Sequence, residues 1–472
     1  MPFFLPLSVP VAECRAWGAW FGQEVSKWPY CFATLTSCQS GPQTTGDTRM
    51  SNISGRYFDD AEYERRRRQV RDGMSARGLD ACLIASPENI YYLTGLDHQG
   101  YFACQLLILP ATGQPVLITR AMEKATVRDQ APDVLHVGYT DGTEPPPGAS
   151  ADNELIDKTW ALTMGAPTRE PRRRPYMMPS AAVRDTVKAL ADAGLSKAVI
   201  GIDMNSTFLP YSIAEGIMNG VADADWQQLD NLVDDVRIVQ SPAELELTRQ
   251  AAAISDSMML SAIAAAGPGV NAREIMAAIY DAMFRRGGTY PGFVPLVRST
   301  RNLAHEHGTW EDMTLVQGDL LFLEMAGCAR RYHAPVGRFV FIGEAPDEAI
   351  KVNGVCQEAM MAAADVIKPG VLAGDVYEAW QAVLDRNGLS HYSRHHCGYS
   401  IGIGYPPSWS GSGVPVGLRR KSQMRLREGM TFHLMSWLLN SGIGDAFLSD
   451  TVEVTADGCK FLTLVNRDVL VR

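Results

Sequence analysis

Glu324 follows an apolar run, Leu320-Leu321-Phe322-Leu323, where an ionised carboxylate is costly without a partner. Such surroundings raise a carboxyl pKa, which suits a group that must take up and release protons near neutrality. Two readings of Glu324 stay open. It is either a structural carboxylate paired with Arg331 or Arg338, or a catalytic one that activates water, attacks an electrophilic carbon or delivers a proton. His307 follows His305 at i,i+2 in Ala304-His305-Glu306-His307-Gly308, a spacing that suits acid–base work or, with further donors, a metal ion. His305 reads as surface. His333 and His433 fall within apolar segments, and each is either a satisfied core histidine or a site residue. Tyr399 and Trp409 offer aromatic faces to a small planar cation, Tyr290 and Tyr332 offer hydroxyl donors, and Met435 offers an apolar wall. Each aromatic serves equally well as core filler.

The elements that must hold these groups divide near residue 240. In the first part a helix over residues 61–77 is ended by Gly78, and residues 81–85 form a buried strand. Pro87-Glu88-Asn89 reads as a turn, and two strands flank Thr112-Gly113 as a hairpin. Residues 141–180, rich in proline and including Arg172 to Arg174, read as a long surface insertion; residues 198–203 resume as a strand. The second part opens on Ser241-Pro242-Ala243-Glu244, a capping serine, a proline at the first helical position and a glutamate that returns a hydrogen bond. A long helix to about residue 266 follows, then one over 272–286. Beyond it come antiparallel strands near 319–326, 330–341, 430–438 and 447–455, and helices near 346–367 and 373–387. The fold class expected is an α/β N-terminal domain plus an α+β catalytic domain.

Composition narrows the partners. The chain has 472 residues, 46% hydrophobic and 20% charged, enough to bury two cores, and its formal net charge of -10 disfavours nucleic acid and anionic membranes. The basic runs at residues 65–68 and 172–174 read as solvated surface. Nine cysteines without a CxxC pair imply reduced thiols and a cytoplasmic location. No apolar run reaches the ~20 residues of a membrane span. Residues 1–49 lack the basic start of a signal peptide and read as an extension upstream of Met50-Ser51-Asn52-Ile53. A small-molecule substrate is expected.

Several strings, in order, resemble the creatinase/prolidase/methionine-aminopeptidase family: Asn89 with Tyr92-Leu93-Thr94-Gly95, Ser241-Pro242-Ala243-Glu244-Leu245, Gly318-Asp319 and Gly429-Met430-Thr431-Phe432. The resemblance runs from residue 57 to about 470. It implies a pita-bread catalytic domain over residues 241–472 behind an N-terminal domain over 57–240, with the site on the concave face of a curved sheet. The family's metallopeptidases hold two metal ions with two Asp, one His and two Glu. Those positions fall here at Glu324, Pro335, Tyr399, Met435 and Ser449, which cannot hold a metal pair.

Further strings resemble the ectoine hydrolases of the family's metal-free branch: Gly288-Thr289-Tyr290-Pro291, Leu323-Glu324-Met325-Ala326-Gly327-Cys328, Arg331-Tyr332-His333-Ala334-Pro335-Val336-Gly337-Arg338, Gly398-Tyr399-Ser400-Ile401-Gly402, Tyr405-Pro406-Pro407-Ser408-Trp409 and Met430-Thr431-Phe432-His433-Leu434-Met435. Such enzymes open the cyclic amidine of ectoine to acetylated diaminobutyrate. The resemblance implies no cofactor, Glu324 and His307 as catalytic residues, and Tyr290, Tyr332, His333, Arg338, Tyr399, Trp409, His433 and Met435 around the substrate. Leu448-Ser449-Asp450 departs from it, since that group retains a Glu there, and Ser410-Gly411-Ser412-Gly413 is extra. The reaction expected is cleavage of a non-peptide C–N bond; the alternatives are a Xaa-Pro metallopeptidase and an inactive binding homologue. The resemblance also implies a homodimer in which the N-terminal domain covers the partner's pocket, with residues 97–102 reaching across as a lid.

Overall fold

Asp59 caps the first helix through its side chain, and from there a computed structural model describes residues 56–139, 181–411 and 417–472. The expected extension at 1–49 and insertion at 141–180 lie outside the described residues, as do Arg172 to Arg174.

The helices are α1 (Asp60–Ala76), α2 (Pro87–Thr94), α3 (Lys124–Gln130), α4 (Ala181–Asp192), α5 (Tyr211–Gly220) and α6 (Leu232–Arg237), followed by α7 (Pro242–Ala265), α8 (Ala272–Arg285), α9 (Asp347–Val366) and α10 (Ala373–Arg386). The first six strands are β1 (Ala81–Ile84), β2 (Leu106–Pro110), β3 (Val116–Arg120), β4 (Leu135–Tyr139), β5 (Val199–Ile202) and β6 (Asp225–Gln228). They form a mixed sheet in the order β4-β3-β2-β1-β5-β6.

The second sheet holds β7 (Leu296–Arg298), β8 (Leu320–Ala329), β9 (Tyr332–Phe341), β10 (Gly398–Ser400), β11 (Thr431–Leu438) and β12 (Ala446–Val454), in the order β10-β11-β12-β9-β8-β7. Two short strands, β13 (Cys459–Phe461) and β14 (Leu470–Val471), pair with β12 and β9. The sheet is two antiparallel hairpin-like halves, β8 with β9 and β11 with β12. They meet in a short register in which Leu448 faces Arg338 and Ser449 faces Gly337. One core joins α7 and α8 to β8 and β9; another joins α9 and α10 to β11 and β12.

Side-chain alternation then decides what each strand shows to the opposite face. On β8, Leu321, Leu323 and Met325 pack with the helices, so Phe322, Glu324 and Ala326 point the other way. On β11, Phe432 and Leu434 pack with the helices, and His433, Met435 and Trp437 point the other way.

Two sequence expectations change. Pro87-Glu88-Asn89 opens helix α2, with Ser86 in extended geometry before Pro87, instead of making a turn. The run at 65–68 is not a solvated face: Arg66 is fully buried and Arg67 nearly so. Arg66 lies over the rings of Phe58 and Tyr92, pairs with Glu62 at 3.0 Å and Glu244 at 3.5 Å, and donates to the Tyr92 carbonyl. Glu244 accepts from the Tyr332 hydroxyl at 2.8 Å, so this charge cluster fastens α1 and α2 to the start of α7 and the start of β9. In the segment 97–102, Asp97 accepts from Arg331 at 2.8 Å and from the Tyr405 hydroxyl at 3.2 Å within its own chain, and Tyr101 packs edge-on against Tyr405. Of the proposed lid, Phe102 stays largely exposed.

Candidate active site

Glu324 faces Leu296 on β7 and Gly337 on β9, and the glycine leaves its inner side without a side chain. The carboxyl is 5% exposed. Burial pushes its pKa up to about 7, opposed by the charge of Arg298. Arg298 is itself held under the site, over the Phe322 ring at 4.1 Å and donating to the carbonyls of Leu303 and His305. The pairing expected for a structural carboxylate is therefore absent. Arg331 pairs with Asp97, and Arg338 with Asp450 at 3.0 Å.

Beside Glu324 runs a short relay. The Trp409 indole N–H donates to the Tyr399 hydroxyl at 2.9 Å, and that hydroxyl lies 3.0 Å from His433 Nδ1. If that hydroxyl donates its one proton to Nδ1, the imidazole proton lies on Nε2; if it accepts from Nδ1–H, Nε2 is the bare nitrogen. His433 Nε2 points toward Glu324, 3.8 Å from Oε1, and has no hydrogen-bond partner. Burial, helped by His396, pushes the His433 pKa down to about 3, so the ring is neutral at physiological pH.

These groups border a cavity of about 490 Å³ whose lining includes Phe293, Leu296, Glu324, Tyr399, Trp409, Met435 and Trp437. His307 lies at its margin, exposed, with its ring 6.5 Å from Phe293. Glu324, His307, Tyr399, Trp409 and Met435 thus share one cavity, with His433 against its wall. His333 does not line it. It is fully buried, accepting from the Gly292 N–H at 2.8 Å, which is the core-histidine alternative. Tyr290 lies beneath the Arg331 guanidinium, 3.7 Å from ring centroid to carbon, and is not part of the lining.

Tyr332 and Arg338 are corrections to the substrate-contacting set. Both occupy even positions on β9 with Ala334 and Val336, the helix-facing side, so parity turns them away from Glu324. Tyr332 serves the Arg66–Glu244 cluster, and Arg338 donates to the carbonyls of Gly337, Ser449, Val465 and Asn466. The sequence reading also passed over Arg394, His395, His396, Arg419 and Trp437, which line the same cavity. The Arg394-His395-His396 cluster just before Tyr399 was the available signal.

Two family models match the chain: the Creatinase/Prolidase N-terminal domain over residues 66–239, and metallopeptidase family M24 over residues 246–456. The chain belongs to the M24 creatinase/prolidase family. The capping serine of α7, Ser241, lies between the two matched stretches. The chain is 28% identical over 426 residues to an ectoine hydrolase of Halomonas elongata, covering 88% of this chain and 98% of that one. It is 22% identical over 403 residues to a Xaa-Pro dipeptidase of Pyrococcus horikoshii, covering 85% and 98%. Among solved structures, the Pyrococcus horikoshii prolidase superposes with a TM-score of 0.68 at 20% identity, over 86% of this chain and all of that one. The Thermococcus sibiricus prolidase superposes with 0.70 at 18%, over 87% and 99%. The fold is the pita-bread fold of these enzymes.

A family named for metallopeptidases implies metal ions, and the donors present do not fit a metal pair. Glu324, Tyr399 and Met435 supply one carboxylate, a phenol and a thioether to the cavity, and Pro335 supplies no donor side chain. The Ser449 hydroxyl is buried without a partner. Among the described residues, no group of three or more His, Cys, Asp or Glu could hold a metal ion.

Proposed function

We propose that this family member is a metal-independent hydrolase that cleaves a non-peptide C–N bond, opening the ring of a small cyclic amidine in the manner of ectoine hydrolysis. The observation that carries the reading is Glu324, a buried carboxyl titrating near neutrality at the wall of an aromatic cavity, with no metal-holding group of three or more His, Cys, Asp or Glu among the described residues. A delocalised amidinium suits the faces of Trp409 and Tyr399. Ionised Glu324 takes a proton from water as the water oxygen bonds to the amidine carbon. The carbon–nitrogen bond to the ring nitrogen then breaks, and the proton returns to that nitrogen, giving an amide and an amine. Alternatively a Glu324 oxygen bonds to the amidine carbon, the ring C–N bond breaks with a proton going to the leaving amine, and water hydrolyses the resulting imidoyl ester to the same amide and free Glu324. With its proton on Nε2, His433 stabilises Glu324 or the oxygen added to the carbon in this reading, and His307 is assigned proton transfer at the cavity margin.

A Xaa-Pro metallopeptidase is favoured by the M24 match and by the dipeptidase relative, and opposed by the donor set. An inactive binding homologue is the third reading. One experiment separates them: chelator-treated protein with ectoine, hydroxyectoine, creatine and Xaa-Pro dipeptides, products followed by NMR. Ring-opened product supports the proposal, proline release only with added Mn²⁺ replaces it with the peptidase, and saturable binding without product leaves the binding homologue.

The homodimer belongs to the same proposal, with the exposed Phe102 as the remaining candidate for contact with a partner; sedimentation showing monomers alone would remove it. So does a cytoplasmic location. The six described cysteines are all unpaired, and no described helix is long and apolar enough to cross a membrane.

A further inference from the structure

One wall of the cavity carries charge that the protein does not balance. Arg394, His395, His396 and Arg419 line it together, and the cavity's carboxylates are Glu324 and Glu306. Glu306 is more than half exposed and stands 3.7 Å from Arg394, a loose pair weakened by solvent. Arg394 is fixed by the structure beneath it: its guanidinium lies 4.7 Å from the Trp437 ring centroid, and its carbonyl accepts from the Tyr377 hydroxyl at 2.6 Å. Arg419 is exposed and has no ion pair among the described residues.

Two further polar groups there have no hydrogen-bond partner although their atoms are buried: Trp437 Nε1, on a side chain that is 9% exposed, and His396 Nδ1. Burial and the neighbouring His395, Arg394 and Arg419 push the His396 pKa down to about 4, which registers the positive field on this wall. A buried donor without an acceptor is costly, and a bound anion would satisfy several at once.

We infer that this wall is a carboxylate subsite, with Arg394 and Arg419 as its cations, so that the substrate is a small zwitterion. Its delocalised C–N head lies against Glu324 and the aromatic residues, and its carboxylate lies against the arginines. The inference rests on the proposed hydrolase reading for the identity of the head. A planar guanidinium matches the two oxygens of a carboxylate, and a cavity of about 490 Å³ holds a single-ring ligand with room for water.

The test uses two probes, ectoine and the same ring without its carboxylate, 2-methyl-1,4,5,6-tetrahydropyrimidine. Their binding to the full-length protein and to Arg394→Met and Arg419→Met is measured by calorimetry, with product followed by NMR in the same samples. The wild type is expected to bind ectoine at least about tenfold more tightly than the carboxylate-free ring, the difference one charge-assisted hydrogen bond supports. Each substitution should bring that ratio toward one. Melting curves establish that the variants fold; if loss of Arg394 from above Trp437 unfolds the protein, the exposed Arg419 carries the test. Equal binding of the two rings by the wild type, a ratio that neither substitution changes, or binding of neither ring overturns the subsite. Carboxylate-dependent binding without product leaves the subsite standing and removes the hydrolase reading. Product formed equally well from both rings does the reverse.

Discussion

His433 Nε2 lies 3.8 Å from Glu324 Oε1, and its other ring nitrogen lies 3.0 Å from the Tyr399 hydroxyl. When the Tyr399 hydroxyl donates to Nδ1, the imidazole proton faces the carboxylate from Nε2. Tyr399→Phe removes that hydroxyl and leaves the Trp409 N–H and His433 Nδ1 unpartnered. We expect a fall in kcat of about ten- to a hundredfold, the equivalent of about 1–3 kcal/mol for an orphaned buried polar group. Steady-state kinetics checks this. Nitrogen NMR of His433 should also show its tautomer balance shifting.

The pKa of Glu324 sets the pH dependence. Both the general-base and nucleophilic roles need the ionised form, and burial has moved the pKa from the ordinary 4.5 up to about 7. In the free enzyme kcat/KM should therefore rise with pH through about 7 and level off above it. A profile already flat from pH 5 would mean that Glu324 is not the base.

The same shift affects stability. Below pH 4.5 the group is protonated both folded and unfolded, and it costs nothing. Between 4.5 and 7 the unfolded chain releases its proton while the folded chain keeps it, so stability falls as pH rises. Above about 7 the loss is complete, about 3 kcal/mol from a shift of this size. Glu324→Gln should recover about that much at pH 8 and little at pH 4 in denaturant titrations, while abolishing turnover.

The sequence pattern revealed the strands and helices that carry the site because their apolar periodicity spans whole elements. Helix α2 escaped it. All eight of its residues are buried, so no polar face marked a helical period, although Ser86-Pro87 repeats the local signal read correctly at Ser241-Pro242. Arg66 was misread for a related reason: a run of four arginines looks uniformly solvated, and only the buried Glu244, far along the chain, shows that one of them is not. Residues near Glu324 were legible from strand alternation. The exclusion of Arg338 was legible too, since fourteen positions separate it from Glu324 but a tight β8–β9 register places it beside Leu323. Of the arginine wall, the Arg394-His395-His396 string alone offers a signal; residues 394 and 419 come from loops with no period that would bring them together.

Arg338 gives a prediction opposite to that of a substrate contact. It is buried, donates to four carbonyls and pairs with Asp450, which Arg467 and Thr463 also hold. Arg338→Met should destabilise the fold by about 3 kcal/mol or more, as expected when one partner of a buried ion pair is removed. In the fraction that folds at low temperature, the KM for ectoine should match the wild type. A raised KM at unchanged stability would restore Arg338 to the substrate-contacting set.

Metal dependence is decided by the donor set. A divalent pair needs several oxygens converging on each ion, and the cavity's two carboxylates are divided: Glu324 is buried on β8, and Glu306 is exposed beside Arg394. Tyr399 is committed to Trp409 and His433, and burial raises its pKa above the ordinary phenol value. Turnover of a cyclic amidine should therefore survive exhaustive treatment with chelator, and added Mn²⁺ or Zn²⁺ should not raise kcat/KM. Metal analysis of the active protein should find less than one equivalent. Activity lost to chelator and restored by a stoichiometric metal ion would return the chain to metallopeptidase chemistry.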